Sequence, residues 1–581
     1  MKILLIHADY IKYEAKKKAI KTAEEVKDLS HELKDCLVVF TAVEFNDEVN
    51  PKKASEQLVK QIKDVAQQVK SDKVVIYPYA HLSSNLSKPD VAVEVMKTAE
   101  NMLKKDFKEV LRAPFGWYKA FEIKCKGHPL SELSREFDIE GNKPSKNVKI
   151  QAIKAEEDEK FDYKQLLKEI SKFRLDREEL KSNDHRILGQ KLDLWSFNEV
   201  APGMVFWHNN GLIIRNELIN YWREEHRKSG YEEISTPQVM DSKLWKISGH
   251  WEKYKDNNFI TDYEGRKLLV KPMNCPGGML VYKQKPKSYK DLPLRVGELG
   301  TVHRVELSGV LAGLFRVIQF TQDDAHIFCE EKDLEKEIIK IIELIKTFYK
   351  KFAVKFDHVE LSTRPEKRIG SDKIWDKAEK TLESVLKKNK IKYKINKGDG
   401  AFYGPKIDFH IKDSLDRTWQ CSTIQLDFAM PERFDLNYVD SKGKEKRLVM
   451  LHRVIYGSLE RFMGVLTEHL NGNFPTWLSP VQVRVISFTD RNAKSVDKFT
   501  KELLDAGVRA DSDTKSNTVQ YKVREAEELK IPYIVVIGDK EEENKTIAVR
   551  TRGKNKVDFG IKKDDFIEKL LKDIKERSFT P

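Results

Sequence analysis

Short apolar runs alternate with amphipathic segments along most of the chain. Strand-like segments in the first part occupy residues 3–6, 38–40, 74–76 and 116–123. Apolar side chains recur at helical spacing over residues 52–69 and 90–103. Because strands and helices alternate at these lengths, we predict a small α/β domain over residues 1–145.

The same alternation returns after Pro475 and Pro480, which flank a predicted domain boundary. Strand-like segments follow at residues 481–486, 508–510, 533–537 and 546–549. Helical spacing is found over residues 493–506, 519–529 and 564–576. This pattern predicts an α/β domain with a mixed sheet over residues 479–581.

The middle of the chain differs from both ends. Residues 146–190 are charged and carry few large apolar residues, so we predict a helical linker with a helix near residues 163–170. Residues 191–478 contain most of the glycine, tryptophan and methionine and most of the candidate chemistry. We therefore expect a multidomain protein of α/β and α+β class with its main site in this middle domain.

Composition bears on the class of protein and on its partner. The chain has 581 residues, enough for three or four domains, and is 34% charged and 40% hydrophobic, as in globular enzymes. Its net charge of +13 favours a polyanionic partner such as nucleic acid. Lysine enrichment caused by genome composition or growth temperature would give the same balance, so both explanations stay open.

Compartment is indicated by what the sequence lacks. It contains no apolar run of about eighteen residues and no apolar leader-type segment at its N-terminus, so we expect no membrane span. The five cysteines lie far apart and form no Cys-x-x-Cys pair. This usage is typical of a reducing compartment, and we expect a cytoplasmic protein.

The most informative segment of the sequence is a strand–loop–strand pattern over residues 302–326. It brings together two arginines, a ring, two adjacent carboxylates and an imidazole: Arg304, Arg316, Phe320, Asp323, Asp324 and His326. Two guanidinium groups on such a unit suit a bent polyphosphate, because each can bind two oxygens. The ring could stack on a base, and the acidic pair with the imidazole could hold a cation. These residues predict a nucleotide site.

Common nucleotide-binding signatures are absent from the sequence. There is no Gly-x-x-x-x-Gly-Lys-Ser/Thr and no Gly-x-Gly-x-x-Gly, which argues against a P-loop enzyme and a Rossmann dinucleotide site. The two signature peptides of class I aminoacyl-tRNA synthetases, His-Ile-Gly-His and Lys-Met-Ser-Lys-Ser, are also missing.

Three segments in order resemble the three motifs of class II aminoacyl-tRNA synthetases. They are residues 230–237 (Gly-Tyr-Glu-Glu-Ile-Ser-Thr-Pro), the stretch from Arg304 to Phe320, and residues 457–462 (Gly-Ser-Leu-Glu-Arg-Phe). The resemblance implies a catalytic domain built on an antiparallel sheet. Because the first motif builds a dimer interface in that class, it also implies a homodimer.

Longer stretches resemble threonyl-tRNA synthetases in particular. They are residues 184–189, 201–204, 248–251, 271–278, 320–326, 398–406, 419–427 and 452–457. The match extends over most of residues 184–581. It implies a threonine–tRNA ligase, with ATP and Mg²⁺, L-threonine and tRNA(Thr) as cofactors and partners.

The resemblance also implies a zinc ion held by Cys275, His326 and His452, with a fourth position open to the amino and hydroxyl groups of threonine. A metal that demands a hydroxyl ligand rejects valine. Serine offers the same hydroxyl and lacks only a methyl group, which is worth about 1–3 kcal/mol, so the enzyme would need a second, hydrolytic site.

Further roles come from the same resemblance. Arg304 would bind the α-phosphate, Arg316 and Arg461 the terminal phosphates, and His250 would assist transfer to the ribose. Adenine would be held by Glu306 and Phe320, and threonine would be oriented by Gln322, Asp324 and Tyr403. Gln420, on the ATP side, and Gln425, on the threonine side, would line the floor of the same site. For each residue alone, a surface ion pair or a packing role is the alternative.

The N-terminal domain lacks the His-x-x-x-His motif of bacterial editing domains. Residues 1–9, 77–85 and 113–119 instead resemble the archaeal type, and Val305 and Leu307 stand where bacterial members have Asn and Pro. This implies an editing domain with the fold of D-aminoacyl-tRNA deacylases. A seryl ester would be surrounded by His81, Tyr118, Lys119 and Glu132. The alternatives are that His81 caps a helix and that the Lys119 charge is solvated.

Residues 519–525, 531–540 and 548–552 resemble the anticodon-binding domain of several class II enzymes, with Glu541 and Arg550 as base contacts. Two other functions remain. A serine or proline enzyme is one, although the cysteine and the two histidines argue against proline. A non-catalytic tRNA-binding paralogue is the other, although all three phosphate-binding arginines are intact.

Overall fold

The computed structural model describes residues 1–137 except 21, 27, 84 and 129, residues 164 and 167, and residues 180–579 except 254–257 and 414–415. The helix expected near 163–170 lies outside the described residues but for two positions. The chain separates into two compact units, Met1–Ala155 and Glu156–Pro581. The domain boundaries at residues 145, 190 and 478 stay predictions.

The first unit is one mixed sheet with two helices. Its strands are β1 (Lys2–Lys18), β2 (Ser30–Ala42), β3 (Lys73–Pro78), β4 (Glu109–Arg112), β5 (Trp117–Cys125) and β6 (Glu132–Glu136). Its helices are α1 (Pro51–Val69) and α2 (Pro89–Leu103). The strand order is β4-β3-β2-β1-β5, with β6 also paired to β1. The sequence prediction of an α/β domain is confirmed here.

Helix α1 begins where local chemistry favours it. The Asn50 side chain accepts the Lys53 backbone N–H at 3.1 Å, and Pro51 supplies the fixed φ that suits a first helical residue. One face of α1 then packs Leu58 and Ile62 against the sheet. These contacts bury the apolar stripe that the sequence pattern indicated.

Strand β1 is much longer than the predicted residues 3–6. Its second half alternates between buried Ile11 and Tyr13 and exposed Lys12 and Glu14. Burial of every second residue is typical of a strand with one solvent-exposed face. This half of β1 pairs with both β2 and β5. The sequence prediction missed it because the charged residues hide a half-buried strand.

The second unit contains a large, mainly antiparallel sheet of eight strands, in the order β16-β15-β17-β18-β21-β14-β13-β9. The strands of this unit before the last sheet are β7 (Trp195–Ser196), β8 (Phe206–Trp207), β9 (Glu232–Glu233), β10 (Val239–Asp241), β11 (Ile260–Tyr263), β12 (Arg266–Val270), β13 (Leu294–His303), β14 (Gln319–Cys329), β15 (Lys355–Ser362), β16 (Lys394–Asn396), β17 (Lys406–Lys412), β18 (Thr418–Asp427), β19 (Asn437–Val439), β20 (Glu445–Arg447) and β21 (Val449–Val454).

Helices cover one face of this sheet. The helices of this unit before the last sheet are α3 (His185–Lys191), α4 (Asn209–Lys228), α5 (Ser242–Ser248), α6 (His250–Lys253), α7 (Cys275–Lys283), α8 (Leu334–Lys351), α9 (Asp372–Lys388), α10 (Ala429–Arg433) and α11 (Leu459–His469), and α8 and α9 are among those that cover this face. Ile345 and Phe348 of α8 and Leu382 of α9 share a buried cluster with Ile424 and Leu451 of the sheet. The opposite face of the same central strands carries polar side chains.

A five-stranded mixed sheet ends the chain. Its elements are β22 (Val483–Ser487), α12 (Ala493–Asp505), β23 (Ala510–Asp513), α13 (Val519–Glu528), β24 (Tyr533–Ile537), α14 (Asp539–Asn544), β25 (Thr546–Thr551), β26 (Val557–Lys562) and α15 (Lys563–Glu576). Strand β23 starts two residues later than predicted, and β26 was missed because it is an edge strand with mostly exposed residues. The multidomain α/β fold class is confirmed.

Among the described residues, no helix has both the length and the apolar character that a membrane span requires.

Candidate functional site

A row of polar side chains crosses the centre of the eight-stranded sheet. His326 of β14 stands opposite His452 of β21, which stands opposite Gln425 of β18, which in turn stands opposite Lys406 of β17. Because directly opposed residues on neighbouring strands project to the same face, these side chains form one line on the polar face. Pairing of strands, and not sequence spacing, therefore builds the site.

Successive side chains of strand β14 point to opposite faces of the sheet. Gln322 and Asp324 lie on the same face as His326, whereas the fully buried Asp323 points to the other face. The hypothesis that both carboxylates hold a cation beside His326 is therefore wrong for Asp323. Its two oxygens accept the backbone N–H groups of residues 455, 456 and 457 at 2.9, 3.1 and 2.9 Å. Burial raises the pKa of Asp323 to about 6.

Cys275, His326 and His452 form a buried group with one candidate ligand atom from each within 4.8 Å of the others. Nε2 of His326 is buried and has no hydrogen-bond partner in the described part of the chain. Nε2 of His452 lies 2.8 Å from Oδ2 of Asp427, which leaves its other ring nitrogen for a ligand. One sulfur and two nitrogens supported by a carboxylate suit zinc with an open fourth position.

Ionisation of this group agrees with a metal role. Burial lowers the pKa of His326, so its imidazole is neutral and can donate a lone pair. Burial raises the pKa of the Cys275 thiol, whereas a bound dication would favour the thiolate. The residues present therefore fit zinc in donor type and in number.

A cavity of about 230 Å³ opens beside this group. It is lined by predicted residues of all three kinds: the metal ligands Cys275 and His452, the nucleotide residues Arg304 and Gln420, and the threonine residues Gln322, Asp324, Tyr403 and Gln425. Sequence reasoning missed three further polar residues on its wall, Lys406, Thr423 and Arg453.

The three arginines expected to bind phosphate all have protein partners. The Arg304 guanidinium lies 5.2 Å from the centre of the Phe320 ring, and its Nε donates to the Pro272 carbonyl at 3.2 Å. Arg316 is paired with Glu306 at 2.9 Å and is half exposed. Phosphate could replace that carboxylate on Arg316, since both offer oxygens to the same guanidinium.

Arg461 lies in the first turn of α11. The N-cap residue Ser458 accepts its backbone N–H at 3.2 Å, and its Nε donates to the Phe315 carbonyl at 3.0 Å. The helix N-terminus adds its own positive potential at this point. Helix start and side chain together favour an anion here.

A buried carboxylate organises the outer wall of the cavity. Asp408 accepts from Gln420 Nε2 at 2.6 Å, from Thr423 Oγ1 at 2.8 Å and from Ser362 Oγ at 2.7 Å, and it pairs with Lys406 at 2.9 Å. Its partners satisfy both oxygens, so the carboxylate costs little to bury. This network therefore fixes the orientation of the Gln420 side chain.

His250 follows the left-handed Gly249 and is almost fully buried. Its Nδ1 lies 2.8 Å from Ser248 Oγ, and its ring meets those of Phe402 and Tyr403 with centroids at 5.2 and 6.1 Å. Burial, with the nearby Arg304, lowers the pKa of His250 to about 3. The imidazole is therefore neutral at physiological pH.

In the first unit, aromatic rings join two of the four predicted editing residues. The His81 ring lies 5.4 Å from that of Tyr79, and Tyr79 lies 6.4 Å from Tyr77. Lys119 Nζ stands 5.0 Å from the centre of the Tyr77 ring and donates to the Pro114 carbonyl at 2.9 Å. Burial lowers the pKa of Lys119 to about 8.

Both structural alternatives for these two residues are wrong. His81 lies inside a short 3-10 helix, Ala80–Leu82, whose cap residues are Tyr79 and Ser83, and Lys119 donates to two backbone carbonyls rather than being solvated. The other two predicted editing residues, Tyr118 and Glu132, have no described ring contact with this aromatic group. Tyr118 is 64% exposed and precedes Lys119 on β5, and Glu132 is an exposed residue opposite Ile6.

The two predicted anticodon residues both have partners within the last sheet and its helices. Glu541 accepts the backbone N–H of Gly538 at 3.0 Å at the start of α14. Arg550 Nη1 lies 3.5 Å from Glu527. Base contacts by either residue stay a prediction.

Three family models match consecutive parts of the chain. Residues 1–137 match the archaea-specific editing domain of threonyl-tRNA synthetase, residues 256–470 the class II tRNA synthetase core domain (G, H, P, S and T), and residues 482–573 an anticodon-binding domain.

Relatives and solved structures agree with these matches. Threonine–tRNA ligases of Desulforamulus reducens and Acetivibrio thermocellus are each 54% identical over 401 residues, which is 69% of this chain and 63% of theirs. The chain thus spans less than two thirds of the curated relatives. The RNA-binding domain of threonyl-tRNA synthetase from Cryptosporidium parvum Iowa II is 39% identical, with a TM-score of 0.65, over 67% of this chain and 98% of that one. A putative threonyl-tRNA synthetase from Aeropyrum pernix is 30% identical, with a TM-score of 0.60, over 68% and 95%.

Proposed function

Since this chain belongs to the threonyl-tRNA synthetase family, we propose that it is an ATP-dependent, zinc-containing threonine–tRNA ligase with an N-terminal hydrolytic editing site. The observation that carries the proposal is the cavity that brings the Cys275 group, Arg304 and the polar floor of the sheet together. L-Threonine, ATP with Mg²⁺ and tRNA(Thr) are the proposed substrates, and we infer a homodimer in the cytoplasm.

In the first step, a carboxylate oxygen of threonine attacks the α-phosphorus of ATP and pyrophosphate leaves. Arg304, which lies over the Phe320 ring, would bind the α-phosphate, and Arg316 and Arg461 would bind the terminal phosphates. Their fixed charges stabilise the extra negative charge of the pentavalent transition state. Little proton transfer is needed, so positioning does most of the chemistry.

Threonine would be selected at the inner end of the cavity. Cys275, His326 and His452 would hold zinc, which when bound supplies a Lewis acid for the amino and hydroxyl groups of the substrate. Gln322 and Asp324 face this group from the same strand and would orient the amino group of the substrate. Asp324 lies 3.5 Å from Asn274 Nδ2, which fixes its position.

In the second step, the terminal ribose hydroxyl of tRNA attacks the carbonyl of threonyl-adenylate, AMP leaves, and the phosphate of AMP takes the proton of the hydroxyl. The neutral imidazole of His250 can accept a hydrogen bond from that hydroxyl, although its low pKa makes it a weak base. We assign His250 a positioning role in transfer. Glu541 and Arg550 of the last sheet and its helices would contact the anticodon.

Amino-acid-dependent exchange of labelled pyrophosphate into ATP tests the activation step. Full-length protein should support exchange with threonine, much less with serine and almost none with valine. Cys275→Ser should remove threonine-dependent exchange, whereas Cys125→Ser, a cysteine of the first unit, should leave it unchanged. Exchange that is equal for valine and threonine, or unaffected by Cys275→Ser, would refute the zinc-based selection.

Editing is tested separately by deacylation. The full chain should hydrolyse Ser-tRNA(Thr) and spare Thr-tRNA(Thr). Lys119→Met should slow the clearing of serine, whereas Lys124→Met, an exposed lysine of the same strand paired with Asp9, should not. Equal rates in all three proteins would contradict the editing assignment of this face without affecting the ligase assignment.

A further inference from the structure

A second group of histidines lies on the polar face of the large sheet, outside the site described above. His358 and Glu360 of β15 and His410 of β17 each offer a ligand atom within 4.8 Å of the others. His358 stands directly opposite His410, and Glu360 is two residues further along the same strand. Alternation and strand pairing therefore put all three side chains on one face.

The geometry of this group is that of a chelating site. Nε2 of His358 lies 3.3 Å from Oε1 of Glu360, and Nε2 of His410 lies 3.5 Å from Oε2 of the same carboxylate. Ligands bound to zinc at about 2.0–2.1 Å in a tetrahedron stand about 3.3 Å apart. The two imidazole rings are stacked, with centroids 4.3 Å apart and planes 7° from parallel. Both rings thus direct a nitrogen at one carboxylate.

Two further observations favour a cation-binding group over an ordinary ion pair. Nε2 of His410 is buried and makes no hydrogen bond within the described residues, although it faces Glu360. Nδ1 of His358 lies 2.7 Å from Oδ2 of Asp357, which accepts a hydrogen bond from Nδ1–H in the tautomer whose Nε2 carries the lone pair. Such a carboxylate behind a histidine is the usual support of a metal ligand.

The other histidine-containing acidic group of this unit gives the contrast. His185 lies among Asp184 and Glu468, but its Nδ1 is 2.7 Å from Glu468 and its Nε2 accepts the Leu314 backbone N–H at 2.9 Å. Both ring nitrogens are therefore used by the fold. That group needs no metal, whereas the group around His410 leaves a buried nitrogen unused.

Charge around the second group also favours a cation. The carboxylates of Asp357, Glu360 and Asp408 act on His410, whereas Lys412 acts on Asp357 and Lys406 pairs with Asp408. The ligands are 16–26% exposed, so an ion can enter and a water can complete its shell. Two imidazoles and one carboxylate suit a borderline ion such as Zn²⁺ better than Mg²⁺ or Ca²⁺.

We propose that His358, Glu360 and His410 form a second divalent-metal site of the zinc class, separate from the Cys275 group. It ties β15 to β17 beside Gln420, which stands opposite His410 and lines the cavity. Asn396 supports the carboxylate by donating to Oε2 of Glu360 at 3.0 Å. The proposal rests on these residues alone and does not depend on the proposed function.

Metal content tests it directly. The full chain is stripped with a chelator, dialysed against Zn²⁺, and its bound zinc is counted for the wild type and the double variant His358→Gln/His410→Gln. The matched control is His208→Gln, whose imidazole also faces an aspartate, Asp193, at 2.6 Å but has no third ligand. The wild type and the control should each hold one more zinc per chain than the double variant.

Cobalt(II) distinguishes the two sites and checks folding. A cysteine-containing site gives an intense thiolate charge-transfer band, whereas the proposed site has no sulfur and gives only weak bands. The double variant should keep the intense band if the wild type has one, and lose only the weak absorption. Glu360→Gln, which preserves size, should also lose the extra equivalent. Equal zinc in wild type and variants would overturn the proposal, and would mean that these side chains form only a cluster of contacts within the protein.

Discussion

The Asp323 carboxylate accepts the backbone N–H of Gly457 at 2.9 Å, and so joins the strand of His326 to the turn that precedes helix α11. The same carboxylate holds the N–H groups of residues 455 and 456. One buried side chain thus fixes the position of the Arg461 helix relative to the floor of the cavity. The carboxylate is a positioning group and lies on the face away from the proposed substrates.

Removing this carboxylate should destabilise the second unit and weaken nucleotide use. Asp323→Ala leaves three backbone donors without their acceptor, at about 1–3 kcal/mol each, so a loss of roughly 3 kcal/mol or more is expected. Asp323→Asn retains one oxygen and should lose less. Thermal unfolding and the KM for ATP are the measurements, with the exposed Asp416→Ala as control. An Asp323→Ala protein as stable as the control would contradict this role.

Asp427 should control metal affinity through His452. Asp427→Asn places an amide against His452 Nε2, which favours the tautomer that carries its proton on Nδ1 and so blocks the remaining ligand atom. Zinc affinity should fall about 10–100-fold. The measurement is zinc retention against a competing chelator, together with the KM for threonine.

Asp427 also accepts hydrogen bonds from the backbone, so the folding of its variants has to be measured as well. Oδ1 of Asp427 accepts the backbone N–H groups of Ala429 and Met430 at 2.8 and 2.9 Å. An Asp427→Asn side chain that keeps its oxygen there preserves this turn, so circular dichroism should be unchanged. Zinc affinity equal to that of the wild type in a folded variant would contradict the tautomer argument.

Arg304 should matter for the transition state and little for stability. Its guanidinium lies over Phe320 at the cavity wall, so Arg304→Ala should lower kcat/KM for exchange about 10²–10³-fold. Arg304→Lys should recover only part, since an ammonium cannot bind two oxygens in a plane. Arg266→Ala, an exposed arginine of β12, is the control. A large drop in the unfolding temperature of Arg304→Ala would assign the arginine a structural role instead.

Lys119 should give editing a pH dependence. Its folded-state pKa of about 8 lies below the ordinary value of 10.5, so the folded protein loses the proton first. Stability should therefore rise with pH between about 8 and 10.5, while the cost of the buried ammonium is fully present below pH 8. If the ammonium binds the ester, serine clearing should fall as pH rises through 8.

The matched variant for that profile is Lys119→Arg, which stays charged throughout this range. Initial rates of Ser-tRNA(Thr) deacylation, corrected for hydrolysis without protein, should show a step near pH 8 only in the wild type. The same step in both proteins would show that another group titrates.

Much of the fold was predictable because its signals are local. The helices 52–69 and 90–103 and the strand 533–537 were placed within one residue, since each combines a clear period with a capping or turn residue. The sequence pattern does not predict strand β26, because it is an edge strand with mostly exposed residues. The pattern does not predict the second half of β1 either, because lysines and glutamates occupy its solvent-exposed face.

The site was less predictable, because long-range strand pairing creates it. His326 and His452 become neighbours only through the register of β14 and β21, which no spacing in the sequence reveals, so they were paired by family resemblance. Arg453 was missed although it is 1% exposed: it lies 4.5 Å from the Tyr231 ring, from a segment far away in sequence. Buried polar residues of this kind depend on partners that sequence patterns do not name.

The most direct test of the central claim is charging of tRNA(Thr) by the full chain with ATP, Mg²⁺ and each amino acid in turn. The account predicts that threonyl-tRNA accumulates, that seryl-tRNA does not accumulate in the wild type, and that it does so with Lys119→Met. Accumulation of prolyl- or stable seryl-tRNA by the wild type, or no threonyl-tRNA at all from a protein that binds tRNA, would contradict it.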